Sequence, residues 1–112
     1  MGSIILLADS GATKTEWKLI QGGKELPSFK TTGISPYHMT GEVIEESVRK
    51  EFPKKILQAS VDFIFYYGTG CKTRKNAEIV RKALGKIYPK AVIEVTHDLM
   101  GNFYNSLGIN FT

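Results

Sequence analysis

The chain has 112 residues, of which 42% are hydrophobic and 23% are charged, and these values suit one globular domain. Its net charge of +4 is spread along the chain, so the charge singles out neither a nucleic acid nor a membrane as a partner. No apolar run approaches the about 20 residues of a membrane span, and the single cysteine, Cys71, excludes an internal disulfide. We therefore expect a cytoplasmic domain that binds neither nucleic acid nor membrane.

The first part of the chain predicts three short strands that are joined by tight turns. Residues 4–8 are a continuous apolar run, which is typical of a strand buried on both faces. Residues 15–20 alternate as in a half-buried strand, and the Gly-rich segment 21–24 predicts a hairpin turn. The third strand is expected over residues 26–32, where Pro27 is tolerated only at a sheet edge.

Helices and strands alternate in the rest of the chain. Apolar residues at helical spacing predict one helix from residue 41 to 55 and another at 75–87. Runs of β-branched and aromatic residues predict strands at 61–67 and 91–95. Asp98 is a candidate N-cap for a last helix.

The predicted element order is β-β-β-α-β-α-β-α, and this order restricts the topology of the sheet. Short connections let the first three strands run antiparallel, whereas connections through helices make the last two join as parallel strands by right-handed crossovers. The sequence therefore predicts an α/β domain with a mixed five-stranded sheet flanked by helices. This order matches the ribonuclease-H-like fold.

Three loops that follow predicted strands carry groups suited to phosphate or proton chemistry. Residues 9–15 begin with a carboxylate, residues 68–70 place a hydroxyl between two glycines, and residues 96–98 end in a carboxylate. Ligands of α/β sheets bind beyond the carboxyl ends of the parallel strands, where these loops are expected to lie. We therefore expect the three loops to meet at one edge of the sheet.

The residues of these loops allow two interpretations. Asp9 can hold a hydrated Mg²⁺ while the backbone N–H groups of its turn face phosphate oxygens, and Asp98 can accept a proton from a substrate hydroxyl. Asp and Gly are also the ordinary residues of polar turns, and Asp98 can be no more than a helix cap. The residues by themselves leave both interpretations open.

Segment 7–15, Leu-Ala-Asp-Ser-Gly-Ala-Thr-Lys-Thr, resembles the phosphate-1 motif, D-G-G-G-T-K-T, of the actin/hexokinase/Hsp70 superfamily. Segments 33–38, 68–70 and 96–98 then follow in the order of one family of that superfamily. Over residues 3–101 the chain resembles the N-terminal domain of BadF/BadG/BcrA/BcrD-type ATPases, in their N-acetylglucosamine-kinase-like branch.

The resemblance implies phosphoryl transfer from MgATP to a hydroxyl of an N-acetylglucosamine-like amino sugar. Asp9 would organise Mg²⁺, and Asp98 would be the general base that acts on the sugar hydroxyl. The residues that would line the ATP phosphates are Gly11, Ala12, Thr13, Lys14 and Thr15. The residues that would contact the substrate are Ser35, Tyr37, Gly68, Thr69 and Gly70.

The chain departs from the family in several places, and one is segment 33–38, which lacks the Asn that relatives often carry there. Ser10 and Ala12 stand where the family has glycines, and the ending 102–112 has no counterpart. The phosphate-2 and adenosine motifs of the family lie in a second domain to which no residues here correspond. We therefore expect residues 1–112 to be one ribonuclease-H-like lobe, inactive alone, whose second lobe is a downstream domain or a separate chain. The oligomeric state stays open, a homodimer included.

Three other functions stay open. A ribonuclease-H-like nuclease needs an acid at the end of the fourth strand, where this sequence has residues 67–70, Tyr-Gly-Thr-Gly. An ATPase that activates a CoA-ester dehydratase or reductase needs cysteines for a [4Fe–4S] cluster, and Cys71 is alone. A truncated, non-enzymatic binding domain needs none of these groups.

Overall fold

A computed structural model describes residues 3–97 of the chain. The strands within this range are β1 (Ile4–Ser10), β2 (Lys14–Gln21), β3 (Lys24–Glu25), β4 (Phe29–Thr32), β5 (Phe63–Gly68) and β6 (Val92–Thr96). The helices within it are α1 (Gly41–Glu51), α2 (Lys54–Leu57) and α3 (Arg74–Ile87). The predicted last helix and its candidate cap, Asp98, lie outside the described residues.

The six strands form one mixed sheet. Its order is β3-β2-β1-β5-β6, and β4 also pairs with β2. The central strand, β1, runs antiparallel to β2 and parallel to β5, and β5 runs parallel to β6. The predicted mixed sheet, with an antiparallel part followed by parallel strands, is confirmed, although it has six strands and not five.

The extra strand, β3, lies before the predicted strand over residues 26–32, and of that prediction only β4 is a strand. Pro27 lies in the gap between β3 and β4 and has no N–H to donate to a sheet ladder. Both strands pair with β2, Glu25 opposite Ile20 and Thr31 opposite Thr15. The prediction of one continuous third strand was therefore wrong, while its place beside β2 was right.

The predicted hairpin turn between β2 and β3 is confirmed. Gly22 and Gly23 have φ angles of 58° and 82°, which lie in the left-handed region. Most side chains other than glycine are strained in that region, so this turn favours the two glycines of the sequence.

The helix predicted from residue 41 to 55 is two helices. Thr40 caps α1, since its Oγ1 accepts a hydrogen bond from the Val43 N–H at 3.3 Å. Pro53 disfavours helical backbone at Phe52, which is extended, so α1 ends at Glu51 and one further turn, α2, follows. None of the helices between residues 3 and 97 has the length and apolar character needed to cross a membrane.

Helices α1 and α3 pack on one face of the sheet, which we call the helix face. Trp17 is fully buried there and packs nearly perpendicular to the Phe52 ring, with 4.7 Å between centroids. Its Nε1–H donates to Thr31 Oγ1 at 2.9 Å. The opposite face buries a smaller cluster around Leu7 and Ile20. The sheet thus has a large core on the helix face and a second apolar cluster on the opposite face.

Candidate functional site

Three loops leave the sheet at one edge. The first loop (residues 9–15) joins β1 to β2, and the third loop (residues 68–70) follows β5. Ser10 stands opposite Gly68 in the register of these parallel strands, so both loops begin at the same level. The second loop (residues 33–38) follows β4 and runs back to the first loop.

The three loops enclose a cavity of about 170 Å³. Its lining residues come from all three loops and are Gly11, Ala12, Ile34, Ser35, Tyr37, Thr69 and Gly70. All of them except Ile34 are predicted site residues. The structure therefore brings together three segments that are far apart in sequence.

The other predicted residues of the first and third loops lie beside this cavity and do not line it. Thr13 and Lys14 are exposed in the turn, which is closed by the Gly11 N–H donating to the Lys14 carbonyl at 2.9 Å. Thr15 and Gly68 are buried beneath the loops. The Thr15 side chain can therefore support the turn from inside the protein.

Asp9 lies at the end of β1, on the opposite face of the sheet, directly across from Glu16 of β2. Partial burial, and secondarily the negative charge of Glu16, raise the pKa of Asp9. Between residues 3 and 97, no group of three or more His, Cys, Asp or Glu side chains is arranged to hold a metal ion. Two neighbouring carboxylates still fit Mg²⁺, because this ion retains several waters and needs only one or two protein ligands.

The second loop is folded on itself and touches the third loop. The N–H groups of His38 and Met39 both donate to the Ser35 carbonyl, at 3.0 and 2.9 Å. A Cβ built on Gly70 would lie 3.6 Å from Cε2 of the Tyr37 ring. The Tyr37 ring is 61% exposed, so it stands at the mouth of the cavity and can stack on a ligand.

A residue that sequence reasoning missed holds the third loop. Asn76, in the first turn of α3, is buried, and its Nδ2 donates to the Gly70 carbonyl at 3.1 Å. The helix is started just before it by Thr73, whose Oγ1 accepts from the Asn76 N–H at 3.1 Å. A polar residue in the first helical turn is common, so nothing in the sequence marked Asn76 as a loop support.

Cys71 follows the third loop and is buried. Burial raises the pKa of its thiol to about 11, so the thiol is neutral at neutral pH and is a poor nucleophile or metal ligand. Its N–H donates to the Gly68 carbonyl at 3.1 Å. Cys71 therefore has the environment of a packed core residue.

The remaining predicted segment, residues 96–98, is described only in part. Thr96 ends β6 beside Tyr67 of β5, which puts the end of β6 at the same edge of the sheet as the three loops. Asp98, the candidate general base, lies outside the described residues. Its role stays a prediction.

Comparisons with known proteins identify the fold. No protein-family model matches the sequence, and no match is found among the curated proteins. A solved structure of a candidate N-acetylglucosamine kinase from Porphyromonas gingivalis is 34% identical, with a TM-score of 0.76, over 93% of this chain and 38% of that chain. PilM, in a PilM–PilN type IV pilus biogenesis complex, is 16% identical, with a TM-score of 0.52, over 83% of this chain and 38% of that chain.

The chain has the actin/Hsp70-like ATPase fold. The sequence resemblance to this superfamily and the predicted ribonuclease-H-like sheet are both confirmed. The PilM likeness shows the fold alone, whereas the likeness to the candidate kinase also extends to 34% of the aligned residues. This actin-fold domain spans less than half the length of either solved protein.

Proposed function

We propose that this actin-fold domain is one lobe of an ATP-dependent amino-sugar kinase. The reaction is transfer of a phosphoryl group from MgATP to a hydroxyl of an N-acetylglucosamine-like sugar. The observation that carries this proposal is the meeting of the three loops at one cavity. The 34% identity to a candidate N-acetylglucosamine kinase over 93% of the chain supports it.

The first loop is proposed to hold the phosphates of ATP. Gly11 and Ala12 line the cavity with little side chain, so phosphate oxygens can approach their backbone. Lys14 is exposed beside them and supplies a positive charge, with Thr13 and Thr15 completing the turn. Phosphoryl transfer depends mainly on positioning and on neutralising charge, and this loop offers both.

Asp9 is proposed to hold hydrated Mg²⁺, with Glu16 beside it. Burial first, and the charge of Glu16 second, raise the pKa of Asp9, and a dication at this place would offset both effects by stabilising the ionised carboxylate. When bound, the ion would neutralise charge on the transferred phosphoryl group.

The second and third loops are proposed to hold the sugar. The Ser35 and Thr69 hydroxyls can bond to sugar hydroxyls, and the exposed Tyr37 ring can stack on the apolar face of a sugar ring. Gly68 and Gly70 keep the third loop compact beside them. Asp98 is proposed as the general base that takes the proton from the attacking sugar hydroxyl.

The small size of the cavity favours the interpretation that this domain supplies only half of the ligand-binding site. Its volume of about 170 Å³ is smaller than the roughly 300–1,000 Å³ of complete small-molecule pockets. A second lobe, either further along the same protein or on a separate chain, would close the cavity and clamp ATP. For this reason we expect residues 1–112 alone to be inactive as a kinase.

A chimaera tests this proposal. The chain is fused to the part of the Porphyromonas gingivalis protein that lies beyond the aligned region, and phosphorylation of N-acetylglucosamine by MgATP is measured. We expect turnover from the chimaera and negligible turnover from residues 1–112 alone. Asp98→Asn should abolish turnover and leave nucleotide affinity nearly unchanged, because a general base acts on the sugar and not on the nucleotide.

Asp62→Asn is the matched control for this substitution. The Asp62 carboxylate accepts a hydrogen bond from the Ile4 N–H at 2.9 Å, where β1 begins, and an amide oxygen can accept the same bond. Turnover should therefore survive Asp62→Asn. A folded chimaera that binds MgATP without phosphorylating any amino sugar would contradict the proposed function, and full turnover in Asp98→Asn would contradict the general-base assignment.

A further inference from the structure

We propose that Ser10 is a positioning residue that ties the second loop to the first loop, so that the two sides of the cavity move as one unit. This inference rests on the proposed function, in which the first loop holds phosphate and the second loop holds sugar. Ser10 itself does not line the cavity. It is 2% exposed and lies where β1 passes into the first loop, with its side chain on the helix face.

A chain of three hydrogen bonds runs through Ser10. Its Oγ accepts from the Ile34 N–H at 3.3 Å and lies 2.8 Å from Thr15 Oγ1. Thr15 Oγ1 donates to the Thr32 carbonyl at 3.3 Å. Each hydroxyl has one proton, so Ser10 must donate to Thr15 if Thr15 donates to Thr32. The chain therefore runs in one direction, from Ile34 through the two hydroxyls to Thr32.

The two ends of this chain flank Gly33, the first residue of the second loop. Gly33 packs directly on the first loop, because a Cβ built on it would lie only 2.5 Å from the Ala12 carbonyl oxygen and 2.7 Å from that of Gly11. The Gly33 N–H also donates to the Thr13 carbonyl at 3.1 Å. Backbone contact and the hydroxyl chain thus join the same two loops.

The surroundings of Ser10 include a second buried hydroxyl, that of Tyr66, which is close enough to interact with Ser10 and makes no well-formed hydrogen bond within residues 3–97. Removing the Ser10 hydroxyl would leave the Ile34 N–H without its acceptor in a buried place, which is costly. Loss of this one oxygen should therefore loosen Gly33 and Ile34 more than the rest of the domain.

Amide hydrogen exchange of the 112-residue chain, without any ligand, tests whether Ser10 connects the two loops. We expect Ser10→Ala to speed exchange at the Gly33 and Ile34 amides by about tenfold or more relative to the amides of β5. Tyr88→Phe is the control, because it removes another buried hydroxyl, which donates to the Ile56 carbonyl at 2.8 Å away from the loops. In this control, exchange at the Gly33 and Ile34 amides should change only as much as the loss of global stability requires.

A second pair of variants, at Thr15, separates the loss of a hydrogen bond from a change in packing around Ser10. Thr15→Val removes the other hydroxyl with little change of shape, whereas Thr15→Ser keeps it. Fast exchange at Gly33 and Ile34 in Thr15→Val and slow exchange in Thr15→Ser support the tie. Unchanged loop exchange in both Ser10→Ala and Thr15→Val would overturn it.

A binding measurement extends the test to the function of the loops. The affinity for N-acetylglucosamine is measured with and without MgATP, in the wild type and in Ser10→Ala. We expect each ligand to strengthen binding of the other in the wild type and this coupling to shrink severalfold in Ser10→Ala. If the wild type binds neither ligand, the proposed function fails for this chain, while the exchange data still decide whether Ser10 ties the loops. If both ligands bind and Ser10→Ala keeps the full coupling, the positioning role is overturned.

Discussion

At the scale of single residues, one glycine beside the cavity, Gly33, packs against the backbone of the first loop and does not line the cavity. A side chain at Gly33 would collide with carbonyl oxygens of the first loop. We expect Gly33→Ala to lower the free energy of unfolding by about 1–3 kcal/mol, because the rigid backbone on both sides cannot yield easily. Chemical denaturation measures this change.

Gly41→Ala is the matched control for that substitution. Gly41 begins α1, and a Cβ there would meet its nearest atom, the Ile79 carbonyl oxygen, at 3.7 Å, an ordinary contact. Its stability should be unchanged or slightly higher, since alanine favours helix. Equal stabilities for Gly33→Ala and wild type would show that the two loops are not packed as described.

The sequence could predict which residues line the cavity but not what supports them. Gly11 and Thr69 were recognisable because each lies in a Gly-containing loop that follows a predicted strand, whereas Ser35 was expected only from the family resemblance. The bonds of Ser10 and Asn76 join residues through details of loop conformation. No periodicity or motif contains that information, so these two residues had to be found in the structure.

At the scale of elements, one carboxylate connects the end of α1 to the strand β4. Glu51 Oε1 accepts from the Thr32 N–H at 2.7 Å and from the Thr32 hydroxyl at 3.0 Å, and Oε2 accepts from the Ser47 hydroxyl at 2.9 Å. The bond from the Thr32 backbone is the main reason that the pKa of Glu51 lies below its ordinary value of 4.5. Glu51 therefore satisfies an N–H of β4 through its side chain.

This lowered pKa predicts a dependence of stability on pH. A depressed pKa in the folded state stabilises the fold above the ordinary pKa, and this contribution is lost as the pH falls through the folded-state value. Glu51→Gln should therefore be less stable than the wild type at pH about 7, and the difference should shrink below pH about 4.5. Thermal unfolding across this pH range measures the difference.

The exposed Glu46 of α1 offers a control with the same loss of charge. Glu46→Gln should differ little from the wild type at every pH, since an exposed charge contributes little to stability. A gap between wild type and Glu51→Gln that stays constant from neutral to acidic pH would contradict the role given to the Glu51 carboxylate.

The two breaks that the sequence interpretation missed both lie at prolines. Pro27 separates β3 from β4, and Pro53 separates α1 from α2. The signal was in the sequence, since proline lacks an N–H and restricts the residue before it. Across Pro53 the apolar residues Val48, Phe52 and Ile56 keep helical spacing, so periodicity alone predicted one continuous helix there. Whether a proline interrupts an element or only ends it depends on the packing around it.

At the scale of the whole molecule, the sequence predicted the mixed sheet but not the order of its strands. Short connections indicated antiparallel strands and helical connections indicated parallel ones, whereas the order β2-β1-β5-β6 was found in the structure. The burial of the opposite face was harder to predict from the sequence. The only signs of the cluster around Leu7 and Ile20 were a fully apolar first strand and one extra apolar residue at the end of the second strand.

The central claim is that the three loops form one lobe of a nucleotide and amino-sugar site. The most direct measurement is a pair of ¹H–¹⁵N NMR titrations of the 112-residue chain, with MgATP and with N-acetylglucosamine. We predict shift changes concentrated in the first loop for MgATP and in the second and third loops for the sugar, with weak dissociation constants of about 1 mM or more, as a half-site implies. Changes confined to the opposite face, around Leu7 and Ile20, no change at any loop amide, or micromolar affinity for ATP would contradict the claim.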